Sequence, residues 1–497
     1  MSIAAYNSLD FILDDYQKTL FPLSTTTILL KNNGGLFSDF VYQKILNPYE
    51  KAHSFLSQTR VYASKNGLHL RRTVKLDPVA EFYIYDLVYR NRTSFKKDFL
   101  PNRHSFGYRF DNGKPISSSL SYNDFRKQVN DASTKYKYSI KCDIATYFNS
   151  LYHHDLVAQF SNNNWAQTDI ESFGQFLREA NTGRSVDCLP QGLYPCKMIG
   201  SQFLKFIDNS LKIKCAESFR FMDDFYLFDN NENILNEDFL TIQQLLGEKA
   251  LSLNASKTVF GESGEDDIKT KLDDIKLKLL RVRRQIIQVS GVETETKEVY
   301  SALTDEQVEY LLDLLKEPDI DEADAELVLV LLRDHGKDVL EHMHKFLERF
   351  PSLSRNIYNF SKYVHDKDSL STLLLNFIKT GSNITEDQLF WIAKITEEHL
   401  SKTKNYSLLI LALYEHSEAT VISKAKILEI PETRFDMASL REEHLKVGKS
   451  DWLAWASAVG TRNDTAISRN HMLTYFAKGS PMNWLVAECI KALYPTC

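Results

Sequence analysis

Two adjacent acidic residues are the feature of this sequence that most clearly indicates chemistry. Asp223 and Asp224 lie between the aromatic, strand-prone runs 219–221 and 225–228, and this pattern predicts a β-hairpin with both acids at its tip. Like charges side by side repel each other and raise a pKa unless a cation lies between them, and a divalent metal bound by oxygen ligands meets that need. Because Asp also favours tight turns for local reasons, a simple turn is the alternative interpretation.

A third acid ends a predicted strand upstream. Residues 138–143 alternate apolar and polar side chains, which is typical of a strand with one buried face. If this strand pairs with the hairpin, Asp143 and Asp223 face each other and can share metal ions. Such a cluster suits phosphoryl transfer with two metal ions, in which one ion activates an attacking hydroxyl and the other neutralises the leaving pyrophosphate.

Four short segments in a fixed order resemble motifs A, B, C and D of reverse transcriptases. Phe221 stands where the family usually has Tyr, a change that removes only a hydroxyl. The resemblance implies a polymerase palm, in which Asp143, Asp223 and Asp224 are catalytic. The segments are Asp143 to Phe148, Leu189-Pro190-Gln191-Gly192, Phe221-Met222-Asp223-Asp224 and Leu253-Asn254-Ala255-Ser256-Lys257-Thr258.

The same resemblance implies ligands and nucleotide contacts. The three acids and the Ile144 carbonyl would hold two Mg²⁺ ions, with Mn²⁺ as a substitute, and the substrates would be dNTPs. Phe148 would lie beneath the sugar and exclude a 2′-hydroxyl. Gln191 and Gly192 would let the backbone approach the nascent base pair, and Lys257 would approach the triphosphate. The plainer alternatives are a core aromatic, an ordinary turn and a solvated lysine.

Basic residues strongly outnumber acidic ones between residues 51 and 141. They are interleaved with aromatic residues, as expected of a groove that contacts phosphates and stacks bases, although a soluble basic surface has the same composition. Arg72 and Arg109 are the candidates for phosphate contacts. Arg109 lies in the segment 102–110, which is similar to the one before motif A in related enzymes.

The length of 497 residues predicts several domains in an α+β chain. We expect an N-terminal segment and basic fingers in 1–130, a palm in 131–262, a charged connecting helix in 263–299 and an α-helical repeat domain in 300–497. Thr304 and Thr385 each begin a capping box, and their separation is about two units of a 40-residue repeat. This spacing indicates HEAT-like repeats, with an irregular helical bundle as the alternative.

A palm followed by helical repeats is similar to the abortive-infection (Abi) reverse transcriptase-like polymerases of bacterial anti-phage defence. That resemblance implies template-independent synthesis of single-stranded DNA, primed by a tyrosine of the protein itself within a homo-oligomer. The candidate tyrosines precede the basic segment and are Tyr6, Tyr16, Tyr42 and Tyr49.

Two other functions stay open at this point. One is a reverse transcriptase that copies a bound RNA, and the other is a non-catalytic helical scaffold with a vestigial palm.

The sequence also bears on the compartment. No apolar stretch approaches the roughly 20 residues that span a bilayer, and the first residues lack a signal-peptide pattern. The six cysteines form no CxxC pair and no zinc spacing. We therefore expect a cytoplasmic bacterial protein with no membrane partner.

Overall fold

The computed structural model describes residues 6–49, 53–97, 100–163, 165–186, 189–262 and 303–493, together with Lys276 and Leu279. Apart from those two residues, the predicted connecting helix lies outside the described ranges. The chain forms two compact units: the first comprises Met1–Leu20, Ile45–Thr59 and Val79–Leu272, and the second comprises Phe21–Lys44, Arg60–Pro78 and Asp273–Cys497.

The described residues form nine strands in three sheets. They are β1 (Thr59–Lys65), β2 (His69–Lys75), β3 (Arg103–Phe106), β4 (Phe110–Asp111), β5 (Lys114–Pro115), β6 (Tyr138–Asp143), β7 (Glu217–Phe221), β8 (Asp224–Asp229) and β9 (Val259–Glu262). The first unit is built on a mixed sheet of order β3-β7-β8-β6-β9, in which only β3 and β7 are parallel. The predicted strand 138–143 and the predicted hairpin are both confirmed.

Helices surround this sheet and form most of the second unit. In the N-terminal half they are α1 (Ser8–Tyr16), α2 (Ser24–Leu30), α3 (Gly34–Asp39), α4 (Pro78–Arg90), α5 (Ser118–Lys135), α6 (Tyr147–Ser150), α7 (His153–Ser161), α8 (Gln167–Ala180), α9 (Tyr194–Phe203), α10 (Lys205–Asp208) and α11 (Glu232–Gly247). In the C-terminal half they are α12 (Asp305–Lys316), α13 (Glu322–Leu331), α14 (Gly336–Arg349), α15 (Ser354–Ser361), α16 (Lys367–Thr380), α17 (Glu386–His399), α18 (Tyr406–Glu415), α19 (Val421–Leu428), α20 (Met437–Val447), α21 (Trp452–Gly460), α22 (Ala466–Phe476) and α23 (Pro481–Lys491).

One face of the mixed sheet carries the predicted catalytic acids. Side chains alternate between the two faces of a strand, and the register places Asp143 and Phe221 each opposite Asp224. Helix α5 packs on the same face, because the Phe125 ring lies 5.5 Å from the rings of both Phe221 and Tyr226. The acids therefore lie at the end of a sheet whose acid-bearing face is partly covered by a helix.

Alternate helices of the second unit pack against each other. Each helix contacts the next but one in the series α14, α16, α18 and in the series α15, α17, α19, α21, α23. Both predicted capping boxes are confirmed, since the main-chain nitrogens of Gln307 and Gln388 donate to the hydroxyls of Thr304 and Thr385 at 3.3 and 3.2 Å. Within the described ranges, no helix is long and apolar enough to cross a membrane.

A buried ion pair attaches the segment that contains α2 to the rest of the second unit. Lys426 Nζ lies 2.6 Å from Glu429 Oε1, and both side chains are fully buried. Glu429 also accepts hydrogen bonds from the main-chain nitrogens of Ser24 and Thr25, at 2.9 and 2.7 Å. The carboxylate is thus satisfied by one ammonium and two amides from a distant part of the chain.

We expect Lys426→Met to destabilise the protein by about 3–5 kcal/mol, because it leaves the buried carboxylate of Glu429 without its counter-charge. Urea denaturation monitored by circular dichroism measures the loss in the free energy of unfolding. The matched control is Lys446→Met, which removes a solvent-exposed ion pair to Glu442 at 2.6 Å and should cost at most about 0.5 kcal/mol. Equal losses in the two variants would contradict the assigned role of Lys426.

Candidate active site

Main-chain hydrogen bonds join separate segments around the acids. The amide of Ile144 donates to the carbonyl of Asp223 at 3.3 Å, and the amide of Asn254 donates to the carbonyl of Asp143 at 2.7 Å. The end of β6, the tip of the hairpin and the segment corresponding to motif D are therefore held together by backbone contacts, independently of the side chains at the site.

The expected pairing of the acids was wrong by one residue. Asp143 lies opposite Asp224, not opposite Asp223. The turn consists of two residues, Met222 and Asp223, because Phe221 pairs with Asp224, and Met222 adopts the left-handed conformation with φ +57°. Asp223 consequently lies in the turn itself, next to the facing pair of carboxylates.

The three carboxylates repel one another. Burial, followed by the negative charges of Asp143 and Asp224, raises the pKa of Asp223 to about 7. Burial and the charge of Asp143 also raise the pKa of Asp224. Lys257 provides one cation, since its Nζ lies 2.7 Å from Asp143 Oδ2, and this hydrogen bond raises the pKa of Lys257. One ammonium balances only part of the negative charge.

The donor chemistry at this site fits a divalent cation. In the part of the chain that the structure describes, no group of three or more His, Cys, Asp or Glu side chains is arranged to hold a metal ion. However, carboxylate oxygens whose mutual repulsion raises a pKa are stabilised by a hard cation. Lys257, whose side chain is 52% exposed, is free to swing away from Asp143 when such a cation binds.

A buried arginine, which sequence analysis missed, positions the hairpin. Arg220 Nη1 donates to the carbonyl of Met222 at 2.8 Å, and Arg220 Nε donates to Asp208 Oδ1 at 2.9 Å. The side chain is 2% exposed and lies on the sheet face opposite Phe221. Its signal in the sequence was a lone Arg between two aromatic residues of a buried strand, where a charge is retained only with a partner.

Phe148 lies in α6 and packs beside α9. A Cβ atom at Gly200 would lie 3.2 Å from the Phe148 ring, and the Tyr147 hydroxyl donates to the Gly200 carbonyl at 2.7 Å. Gly200, which sequence analysis did not single out, therefore permits this close approach. Phe148 is only half-buried, so its ring keeps an accessible edge, and its contact with a sugar stays a prediction.

The backbone conformation at position 192 and the packing around it both require a glycine. Its φ is +97°, and a Cβ atom would lie 2.7 Å from Leu20 Cγ. The space next to its Cα is therefore filled by a leucine of the same unit. Gln191 is half-buried beside it. The nucleotide contacts predicted for Gln191 and Gly192 stay predictions, as does the contact of Lys257 with a triphosphate.

The two predicted phosphate-binding arginines lie in different units. Arg109 follows β3 in the first unit and is half-buried. Arg72 lies in β2, which belongs to the second unit. The nucleotide contacts predicted for Arg109 and Arg72 both stay predictions.

The four candidate tyrosines differ in accessibility. Tyr16 is fully buried. Tyr6 donates to Asp14 at 3.1 Å, and burial raises its pKa well above the ordinary value. Tyr42 lies in the π-helix Phe40–Ile45, whereas Tyr49 is 95% exposed and belongs to the first unit.

Comparisons with known proteins agree with the geometry of this site. Residues 92–311 match the family model for "Reverse transcriptase (RNA-dependent DNA polymerase)". The chain thus carries a reverse transcriptase domain, and its activity is that of a nucleotidyltransferase, a DNA polymerase. Domains of this kind generally use divalent metal ions. The resemblance inferred from the motifs is confirmed at the level of the domain, and no curated protein matches the chain.

Two solved structures show remote similarity. Telomerase from Candida albicans in complex with the TWJ fragment of telomeric RNA is 13% identical, with a TM-score of 0.30, over 78% of this chain and 70% of that one. Apo telomerase from Candida tropicalis is 12% identical, with a TM-score of 0.33, over 86% and 74%. Similarities this remote do not bear on function.

We expect Asp223→Asn to stabilise the metal-free protein at alkaline pH. The pKa of Asp223 is 3.8 in ordinary surroundings and about 7 in the folded protein, so the stability of the wild type falls as pH rises through that window. Because solvent screens the charges of a half-buried side chain, the expected gain is about 1–2 kcal/mol at about pH 8 and none below about pH 4.

Urea denaturation in EDTA at the two pH values measures this gain. The control is Asp131→Asn, which changes an exposed acid of α5. A gain of the same size at both pH values would show that charge repulsion is not its cause.

Proposed function

We propose that this protein is a Mg²⁺-dependent DNA polymerase of the reverse transcriptase type that acts in bacterial abortive-infection defence. It extends a tyrosine of its own chain with dNTPs, without a template, in the cytoplasm and within a homo-oligomer, and it produces single-stranded DNA. The observation that supports the polymerase most directly is the convergence of Asp143, Asp223 and Asp224 at one end of the mixed sheet.

The residues divide the chemistry between them. Asp143, Asp223, Asp224 and the Ile144 carbonyl would hold two Mg²⁺ ions, for which Mn²⁺ can substitute. When bound, such ions lower the pKa of the attacking hydroxyl and neutralise the charge of the departing pyrophosphate. Lys257, which lies beside Asp143, would contact the triphosphate and donate a proton to the departing pyrophosphate.

The helical unit is, in this proposal, a HEAT-like array. The support comes from the packing of alternate helices into two series and from the repeated capping boxes at Thr304 and Thr385. Stacked helical pairs bury their apolar faces only against neighbouring pairs, which agrees with the large apolar cluster that extends from Leu311 to Met437.

Among the tyrosines, Tyr49 is the best-supported primer. A nucleophilic hydroxyl has to be accessible to a nucleotide, and Tyr49 is 95% exposed whereas Tyr16 is fully buried. The hydroxyl of Tyr6 is occupied by its hydrogen bond to Asp14. Tyr42 is half-buried.

RNA-templated synthesis is the second candidate function. The family model that matches residues 92–311 describes RNA-dependent DNA polymerases, and this match favours a bound RNA template. The scaffold hypothesis, by contrast, gains no support, because the three acids are retained together at an electrostatic cost.

We expect Asp223→Ala to abolish incorporation of every dNTP while the fold is kept, because the site loses a metal ligand. The assay incubates the purified full chain with each labelled dNTP and Mg²⁺, with and without added RNA or DNA. Asp131→Ala, at an exposed position of α5, is the matched control. Incorporation retained by Asp223→Ala would refute the polymerase assignment, and strict dependence on RNA would favour the templated alternative.

We expect Tyr49→Phe to eliminate the covalent link between protein and DNA, since phenylalanine lacks the attacking hydroxyl. Mass spectrometry of tryptic peptides, after expression in cells, detects a nucleotide adduct on the peptide containing Tyr49. Tyr152→Phe, which changes a 42% exposed tyrosine of the first unit, should keep the adduct. An adduct that persists in Tyr49→Phe would rule out Tyr49 as the primer.

A further inference from the structure

A basic pocket lies beside β7, the first strand of the catalytic hairpin. Residues from both faces of the sheet line it, since Ser105 pairs in register with Arg220 and Phe106 pairs with Phe221. Helix α9 and the segment before β3 complete its walls. Its lining residues are Phe95, Lys96, Lys97, Ser105, Phe106, Gly107, Tyr108, Arg109, Met198, Ser201, Gln202 and Lys205.

The charged side chains among the described residues that line this pocket are all positive. Four of the lining residues are basic, namely Lys96, Lys97, Arg109 and Lys205, and among the described residues that line it none is acidic. Like charges gathered at one concave place repel one another and create a local positive potential. An anion is therefore the ligand that the pocket favours.

Arg109 carries an unused donor in this pocket. Its Nη1 atom is buried, and no described residue accepts a hydrogen bond from it. A buried donor without a partner costs about 1–3 kcal/mol, and a charged one costs more. Guanidinium groups match the paired oxygens of a phosphate, so Arg109 is the lining residue best suited to bind one.

Polar and aromatic groups line the pocket in addition to its basic residues. Ser201 and Gln202 contribute side chains that can donate hydrogen bonds. The ring of Tyr108 lies half-buried, with Lys197 Nζ 4.6 Å from its centroid. Lys97 Nζ likewise lies 5.8 Å from the Phe106 ring centroid. Cations combined with aromatic surfaces are typical of sites that follow a single strand of nucleic acid.

The pocket also touches the catalytic hairpin. A Cβ atom at Gly107 would lie 3.4 Å from Met222 Sδ, and Met222 directly precedes the two acids of the turn. None of the three predicted metal-binding acids, Asp143, Asp223 and Asp224, lines this pocket. The pocket is therefore a different position from that of the incoming triphosphate.

We propose that this pocket binds a backbone phosphate of single-stranded nucleic acid and so holds the strand next to the polymerisation site. Arg109 and Lys97 make the principal contacts, and binding involves no covalent step. Only the choice of a nucleic acid as ligand rests on the proposed function. A free triphosphate or pyrophosphate shares the same chemistry, and the experiment separates these sources.

The test measures binding without catalysis. The full chain in EDTA is titrated into a fluorescent twelve-nucleotide oligodeoxythymidylate, and anisotropy is followed over a range of salt concentrations. Arg109→Gln is expected to weaken binding about tenfold and to reduce the slope of log affinity against log salt by about one. Lys97→Gln should act in the same direction. Lys137→Gln, an exposed lysine of the same unit, is the matched control and should change neither quantity.

Three further measurements separate the outcomes. Arg109→Lys should keep the salt slope of the wild type, because it keeps the charge, and thermal melting checks the fold of Arg109→Gln. Because Lys97 is exposed, Lys97→Gln gives an independent answer if Arg109→Gln is unstable. Unchanged affinity and salt slope in Lys97→Gln and in a folded Arg109→Gln would overturn the proposal. If dTTP or pyrophosphate occupies the pocket and the oligonucleotide does not displace it, the strand-binding role is likewise overturned.

This result is distinguishable from that of the polymerase test. Asp223→Ala is expected to bind the oligonucleotide like the wild type, because Asp223 does not line the pocket. Retained incorporation by Asp223→Ala would refute the polymerase while leaving the pocket result intact. Loss of binding in Arg109→Gln, together with loss of incorporation in Asp223→Ala, supports both.

Discussion

The repulsion between three carboxylates at one end of a sheet is the constraint on which the active site depends. Asp143 and Asp224 face each other across β6 and β8, and Asp223 lies next to them with its pKa raised to about 7 by burial and by their charges. Such a cluster persists because the surrounding structure holds it and because cations stabilise it. Lys257 is the cation that the chain itself supplies.

The backbone and one buried arginine hold this unfavourable cluster in place. Main-chain hydrogen bonds join Ile144 to Asp223 and Asn254 to Asp143, while Arg220 holds the Met222 carbonyl at the hairpin tip. None of these contacts uses a catalytic carboxylate oxygen, so those oxygens stay available for a metal ion or for Lys257. The same hairpin contacts the basic pocket through Met222, which lies next to Gly107 of the pocket wall.

Local patterns predicted the local structure well. The alternation along residues 138–143 and the paired aromatic runs around Asp223 correspond to β6 and to the hairpin, and the capping boxes at Thr304 and Thr385 are formed. The predicted partner of Asp143 was wrong by one residue. The register depends on the length of the turn, and the turn consists of Met222 and Asp223. A sequence pattern of period two indicates a strand but not its partner.

The sequence by itself determined which catalytic residue types are present and the order of the four motifs. It also determined those strands and helices that a short periodic pattern of apolar residues specifies. Tertiary structure alone decided that Arg72 belongs to the unit formed mainly by helices, that Tyr49 is exposed while Tyr16 is buried, and that Arg109 retains an unused donor. The physical reason is that burial, charge neighbours and hydrogen-bond partners come from residues far apart along the chain, and no local pattern specifies them.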